Sequence, residues 1–139
     1  MREENCIFCK IANGDIGAAT VYEDDDFRVI LDLGPASKGH ALILPKKHYR
    51  DICEADERVM SRLFSLAAKI GAAMKKGLGA TGFNVVQNNG TSAGQTVFHL
   101  HVHVIPRYEN GPAMVTWEPG SPAEGELEQT AKVLRAELM

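Results

Sequence analysis

Thr96-Val97-Phe98-His99-Leu100-His101-Val102-His103-Val104-Ile105, stopped by Pro106, alternates between two kinds of side chain. A period of two predicts a β-strand. On it His99, His101 and His103 point to one side, roughly 6–7 Å apart per step. Leu100, Val102 and Val104 point to the other side and supply core. The chain holds five histidines, and three of them in register admit three readings. They can be a polar face in water, part of a metal site, or a catalytic row. In the last, neutral imidazole attacks phosphorus and divides one displacement into two easier ones. The loop just before, Asn88-Asn89-Gly90-Thr91-Ser92-Ala93-Gly94-Gln95-Thr96, favours the catalytic row. Its backbone N–H groups, amides and hydroxyls suit a phosphate and the charge on its oxygens.

Upstream, residues 5–14 predict a helical turn ended at Asn13-Gly14. Val21-Tyr22-Glu23 and Phe27–Asp32 predict strands around the charged turn Asp24-Asp25-Asp26. His40–Pro45 reads as a buried central strand and Phe83–Gln87 as a fourth strand. Between them Met60, Leu63, Phe64, Ala67, Ile70 and Met74 recur at helical spacing and predict one apolar face. Asp56 suits the N-cap of that helix, and Gly77 and Gly79 its C-terminal end. After an irregular stretch through Trp117, residues 122–138 predict another helix, with Leu127, Ala131, Leu134 and Leu138 on one side. Short-turned strands around one long helix predict an α+β fold: an antiparallel five-stranded sheet, one long helix and short terminal helices. One domain is expected over residues 1–139, with its core at about 5–107 and a tail and helix at 108–139.

The bulk numbers agree with a single domain: 139 residues, 45% hydrophobic and 24% charged. A formal net charge of −3 is a poor match for long nucleic acid, which needs a basic face. No apolar run reaches the about 18 residues of a membrane helix, and no apolar segment follows the polar start Met1-Arg2-Glu3-Glu4-Asn5. A cytoplasmic location is therefore expected. Three cysteines make a disulfide framework a poor reading. Cys6 and Cys9 stand at zinc-knuckle spacing, and no βαβ unit precedes them to support a thioredoxin-like role. Cys53 is expected to pack as a small apolar residue.

His99-Leu100-His101-Val102-His103-Val104-Ile105 resembles the His-φ-His-φ-His-φ-φ signature of the histidine triad (HIT) nucleotide hydrolases and transferases, φ being apolar. Asn88 and Gly94-Gln95-Thr96 resemble that family's phosphate loop. Asp32 before Gly34-Pro35, Leu44-Pro45-Lys46-Lys47-His48 and Ile7-Phe8-Cys9-Lys10-Ile11 are similar to other landmarks, so the likeness spans residues 5 to about 107.

The resemblance implies a nucleotide-binding hydrolase that cleaves a phosphoramidate-type nucleotidyl bond at the α-phosphorus and releases a nucleoside monophosphate. His101 would form a covalent nucleotidyl-histidine, its other ring nitrogen held by the carbonyl of His99. His103 would donate to a phosphate oxygen. Gln95 and Thr96 would hold the phosphate and leaving group, beside Asn88 and Gly94. Asp32 would accept the ribose hydroxyls. Phe8, Ile11, Ile30 and Leu33 would line the base pocket of a purine nucleotide such as AMP or GMP.

Likeness to bacterial members with a C-x-x-C implies a structural zinc on Cys6, Cys9, His48 and His99, with no catalytic metal required. It also implies a homodimer, with Trp117 near the partner's site or as a surface anchor. Dinucleoside polyphosphate hydrolysis, toward which Arg107 leans, is the rival activity. A nucleotide-binding adaptor with incidental turnover is the alternative of another class.

Overall fold

The computed structural model describes residues 2–112 and 116–138. Residues 113–115 of the irregular stretch before Trp117 lie outside the described residues. In chain order the elements are α1 (Ile7–Ala12), β1 (Thr20–Glu23), β2 (Phe27–Leu31), β3 (Ala41–Pro45), α2 (Glu57–Leu78), β4 (Gly82–Val86), β5 (Val102–Arg107) and α3 (Glu126–Leu138). The strands form one antiparallel sheet in the order β1-β2-β3-β5-β4. This is the α+β architecture that the alternation of strands and turns predicts.

Each junction has a local cause. Asp24 folds the β1–β2 turn by accepting the N–H groups of Asp26 and Phe27, both at 2.8 Å. The Asp56 side chain caps α2 by accepting from the Val59 N–H at 2.8 Å. Gly79 ends it with a left-handed φ of 72° and donates its N–H to Met74 O. Gly71 lets α2 lie close to the sheet, because a Cβ there would fall 2.2–2.5 Å from the Phe83 ring.

The two faces of the sheet are covered differently. Phe27, Val29, Ala41, Ile43, Leu100, Val102 and Val104 meet Leu63, Ala67, Ile70 and Met74 of α2 in the main core. Each large apolar side chain buried there contributes about 1.5–3 kcal/mol. On the opposite face Ile30, Leu42 and Leu44 pack with Ala12, Phe8 and Ile11 of the α1 segment. β3 is buried along its whole length, so its sequence reads as an unbroken apolar run. His103 pairs with Leu42 across the ladder and therefore lies on the α1 side.

Several sequence expectations need correction. The strand predicted over 96–105 is β5, which starts only at Val102. Its first half bonds elsewhere: the Leu100 N–H donates to Tyr49 O at 2.7 Å, and Val97 O accepts from the Gln95 side chain at 3.1 Å. Pro106 does not stop the strand. The β3 pairing ends at Val104, and Ser37 Oγ caps Pro106 O, so the missing N–H breaks no ladder bond. Phe64 leaves the core face of α2 and is 45% exposed. Cys53 is exposed rather than packed. The last helix begins at Glu126, four residues later than the periodicity suggests, and buries none of its described side chains.

Candidate active site

Three histidines on one extended segment acquire three different fixed states from the backbone around them. His99 is fully buried, and its Nε2 donates to Pro45 O at 2.8 Å. That leaves Nδ1 as a lone pair facing the sulfurs of Cys6 at 3.3 Å and Cys9 at 3.4 Å. His101 Nδ1 donates to His99 O at 2.7 Å, which leaves its Nε2 as a bare lone pair. His103 is fixed by a residue that the sequence reading placed at the start of a strand and gave no role. His40 Nδ1 accepts the Ala36 N–H at 3.0 Å, so its Nε2 carries the proton. That proton is donated to His103 Nδ1 at 2.9 Å, and His103 Nε2 is left as a donor. The signal for His40 lay in its phase: it precedes Leu42 and Leu44 by two and four residues, on the face that His103 shares.

All of these imidazoles are neutral at pH 7. Burial lowers the pKa of His101 and of His40. Burial, joined by the neighbouring His101 and His40, takes His103 down to about 4. A neutral imidazole with a free lone pair is a nucleophile, and a neutral N–H beside it is a donor. The Phe8 ring stands edge-on to His101 at 4.9 Å between centroids and holds its plane.

These groups open into a cavity of about 380 Å³. Its floor is apolar, from Phe8, Ile11, Ile30 and Leu42, and its polar groups are Asp32, Thr96, His101 and His103. Leu33 stands on its rim, wholly exposed. Asp32 Oδ1 accepts the Gly34 N–H at 2.8 Å, and Oδ2 lies 3.6 Å from His40 Nε2. Across Thr96 and Val97 a wider, more open cleft continues, lined by Glu3, Asn5, Arg50, Glu54 and Phe98.

Not every residue singled out in the phosphate loop reaches the cavity. Gln95 is buried and its side chain is spent on the loop. Oε1 accepts the Gly90 N–H at 2.8 Å, and Nε2 donates to Arg50 O at 2.8 Å and to Val97 O at 3.1 Å. Asn88 and Gly94 belong to the same loop but do not line the cavity. Arg107 donates from Nε to Asn84 Oδ1 at 2.9 Å and lies outside it too. Trp117 is 82% exposed.

Cys6, Cys9, His48 and His99 bring their ligand atoms within 4.8 Å of one another. His48 Nδ1 lies 3.4 Å from Cys9 Sγ. A tetrahedral zinc with bonds of about 2.0–2.3 Å needs its ligand atoms roughly 3.3–3.8 Å apart, and the Cys6–His99, Cys9–His99 and Cys9–His48 spacings of 3.3, 3.4 and 3.4 Å meet this. The sulfurs also receive backbone N–H groups, Cys9 N to Cys6 Sγ at 3.3 Å and Glu3 N to Cys9 Sγ at 3.2 Å. Asp32, His40 and His103 form a second close group. It is a poor metal site, because the Ala36 N–H already occupies His40 Nδ1 and makes Nε2 a donor.

The HIT domain family model matches residues 13–110. "Protein hit" of Bacillus subtilis is 44% identical over 108 residues, covering 78% of this chain and 74% of its own. A protein of Arabidopsis thaliana described as adenylylsulfatase HINT3 is 43% identical over 107 residues, 77% of this chain and 54% of that one. The crystal structure of SMU.412c from Streptococcus mutans superimposes with a TM-score of 0.93 at 38% identity, covering 99% of this chain, α3 included, and 88% of that one. A zinc-bound histidine triad family protein from Mycobacterium smegmatis superimposes with a TM-score of 0.76 at 35% identity, covering 95% and 91%.

Proposed function

The chain belongs to the HIT domain family, and from that membership we propose that it hydrolyses a nucleotidyl bond at the α-phosphorus with His101 as nucleophile. The observation that carries this is the 2.7 Å hydrogen bond from His101 Nδ1 to His99 O, which fixes the lone pair on Nε2. In the first step Nε2 attacks phosphorus, the bond from phosphorus to the leaving nitrogen breaks, and the amine departs with a proton taken from solvent, which the attacking water of the second step returns. In the second, water attacks phosphorus, the bond to Nε2 breaks, and a nucleoside monophosphate leaves. His103 Nε2–H donates to a phosphate oxygen as negative charge gathers there. Asp32 accepts the ribose hydroxyls. Phe8, Ile11, Ile30 and Leu33 hold a purine of AMP or GMP type. Thr96 stands at the phosphate, while Gln95, with Asn88 and Gly94, acts through the shape of the loop. The leaving group passes over Thr96 toward the open cleft.

Zinc on Cys6, Cys9, His48 and His99 completes the reading, supported by the zinc-bound relative and by the ligand spacing. Four protein ligands leave no open position, so the ion would supply stability and hold His99. No catalytic metal is needed for attack by a neutral imidazole. We rank polyphosphate cleavage second, because Arg107 donates from Nε to Asn84 Oδ1 and does not line the cavity.

The test is product formation from adenosine phosphoramidate, a diadenosine polyphosphate and adenylyl sulfate, each with a His101→Ala control. AMP from the phosphoramidate, lost in the variant, is the expected result. Cleavage of the polyphosphate alone makes the rival activity correct. AMP binding without cleavage of any substrate makes the chain a nucleotide-binding adaptor.

A further inference from the structure

α2 packs mainly on β3, β4 and β5, and beside it the ends of β1 and β2 stay uncovered. The result is a groove of about 390 Å³ on the α2 side of the sheet, which the reaction above does not use. Its floor is Ala41, Ile70 and Met74, all buried. Its walls are Val21 and Leu31 from the sheet and Leu78 from α2, exposed at 48%, 38% and 43%. The volume lies within the about 300–1,000 Å³ of small-molecule sites. Apart from the Lys38 ammonium, no lining side chain ends in a charged, hydroxyl or amide group. A polar group placed on the floor would lose its water and gain no partner. The buried part of any occupant is therefore hydrocarbon.

The rim supplies the other half of the chemistry. Lys38 lines the groove, and Lys69 and Lys76 stand one turn to either side of Ala73, which also lines it, on the same edge of α2. All three lysines are exposed, and among the described residues none of them pairs with a carboxylate. No carboxylate lines the groove. We propose that this groove binds a single-chain acyl carboxylate, with its tail on Ala41, Ile70 and Met74 and its head at the lysines. A flat bilayer surface fits less well, because the buried floor is recessed behind exposed walls and only a lone chain can enter it. Leu31 also lines the cavity that holds Asp32, His101 and His103, so an occupant of the groove touches a wall shared with that site.

The experiment is calorimetric titration of the full-length chain with octanoate, decanoate and dodecanoate, each below its micelle concentration. One acyl anion per chain is expected, bound about two- to fourfold more tightly for each added methylene. Gly77 lines the groove in helical backbone, and a Cβ there would meet nothing within 4 Å. Gly77→Leu therefore fills the groove without strain. It should weaken dodecanoate binding about tenfold or more while the melting temperature holds or rises. Lys38→Glu/Lys76→Glu should weaken it about three- to tenfold. No binding of dodecanoate, unchanged binding in Gly77→Leu, or equal binding of dodecyltrimethylammonium overturns the proposal. Binding to phosphatidylglycerol vesicles with none to free dodecanoate makes this face a membrane contact and overturns it as well.

Discussion

His40 touches no substrate in the proposed reaction, yet replacing it should slow the chemistry. In His40→Phe the ring volume stays and both nitrogens go. The Ala36 N–H is near the surface and can take water. His103 Nδ1 has no such outlet, because it loses the His40 proton inside a half-buried pair. The neutral ring then settles with its proton on Nδ1 in most molecules, and Nε2 in those stops donating to the phosphate. A hydrogen bond to a charged group contributes about 1.5–3 kcal/mol. Losing it for most molecules predicts a fall in kcat of about 10–100-fold, or roughly 1.4–2.7 kcal/mol in the barrier. AMP affinity should change much less, since Asp32 and the apolar floor are intact. The assay is single-turnover hydrolysis of adenosine phosphoramidate beside calorimetric AMP binding. His40→Gln, which can still accept from Ala36 and donate to His103, should recover part of the rate. Wild-type kcat in His40→Phe, or a loss wholly accounted for by weaker AMP binding, refutes the reasoning.

Other consequences are as direct. Gly71→Ala should lower stability by about 1–3 kcal/mol through overpacking against Phe83, and Phe83→Leu in the same chain should restore part of it in urea titrations. Removing zinc with a strong chelator should lower the melting temperature, and Cys9→Ser should bind no zinc by elemental analysis; a metal-free purified protein with the same melting temperature contradicts the site. His40 is buried neutral, with its pKa lowered by burial. Below about pH 6.5 the unfolded chain gains a proton there that the folded chain resists, so stability should fall as pH drops from 7.5 to 5.5. His40→Gln should show a shallower fall; an equal slope in both proteins removes His40 as the cause.

The sequence revealed more of the fold than of the bonding. Apolar spacing placed α2 and its Asp56 cap, because burial on one face leaves a pattern in the chain. The histidine row was legible for the same reason, although His99 and His101 precede β5. An extended backbone keeps the period of two whether or not it is paired. Hydrogen bonds leave no such pattern. Nothing local says that Leu100 bonds to Tyr49 or that the Gln95 side chain turns inward to Gly90 and Arg50. His40 was hidden because its partners, Ala36 and His103, are joined by topology and not by spacing. Phe64 was misplaced because helical periodicity tolerates a neighbour one step off the buried stripe.

His99 offers its ring to the sulfurs and its carbonyl to His101. The proposed metal site and the proposed nucleophile thus hang from opposite ends of a single residue, a few covalent bonds apart. A metal of different size in that site would tilt the ring, and the carbonyl would have to follow. Neither centre can drift without dragging the other. The chain therefore has one mechanical tolerance to maintain where two separate sites would need two. Damage to the sulfurs, by oxidation or by a competing metal, should register first in the turnover rate and only later in the fold.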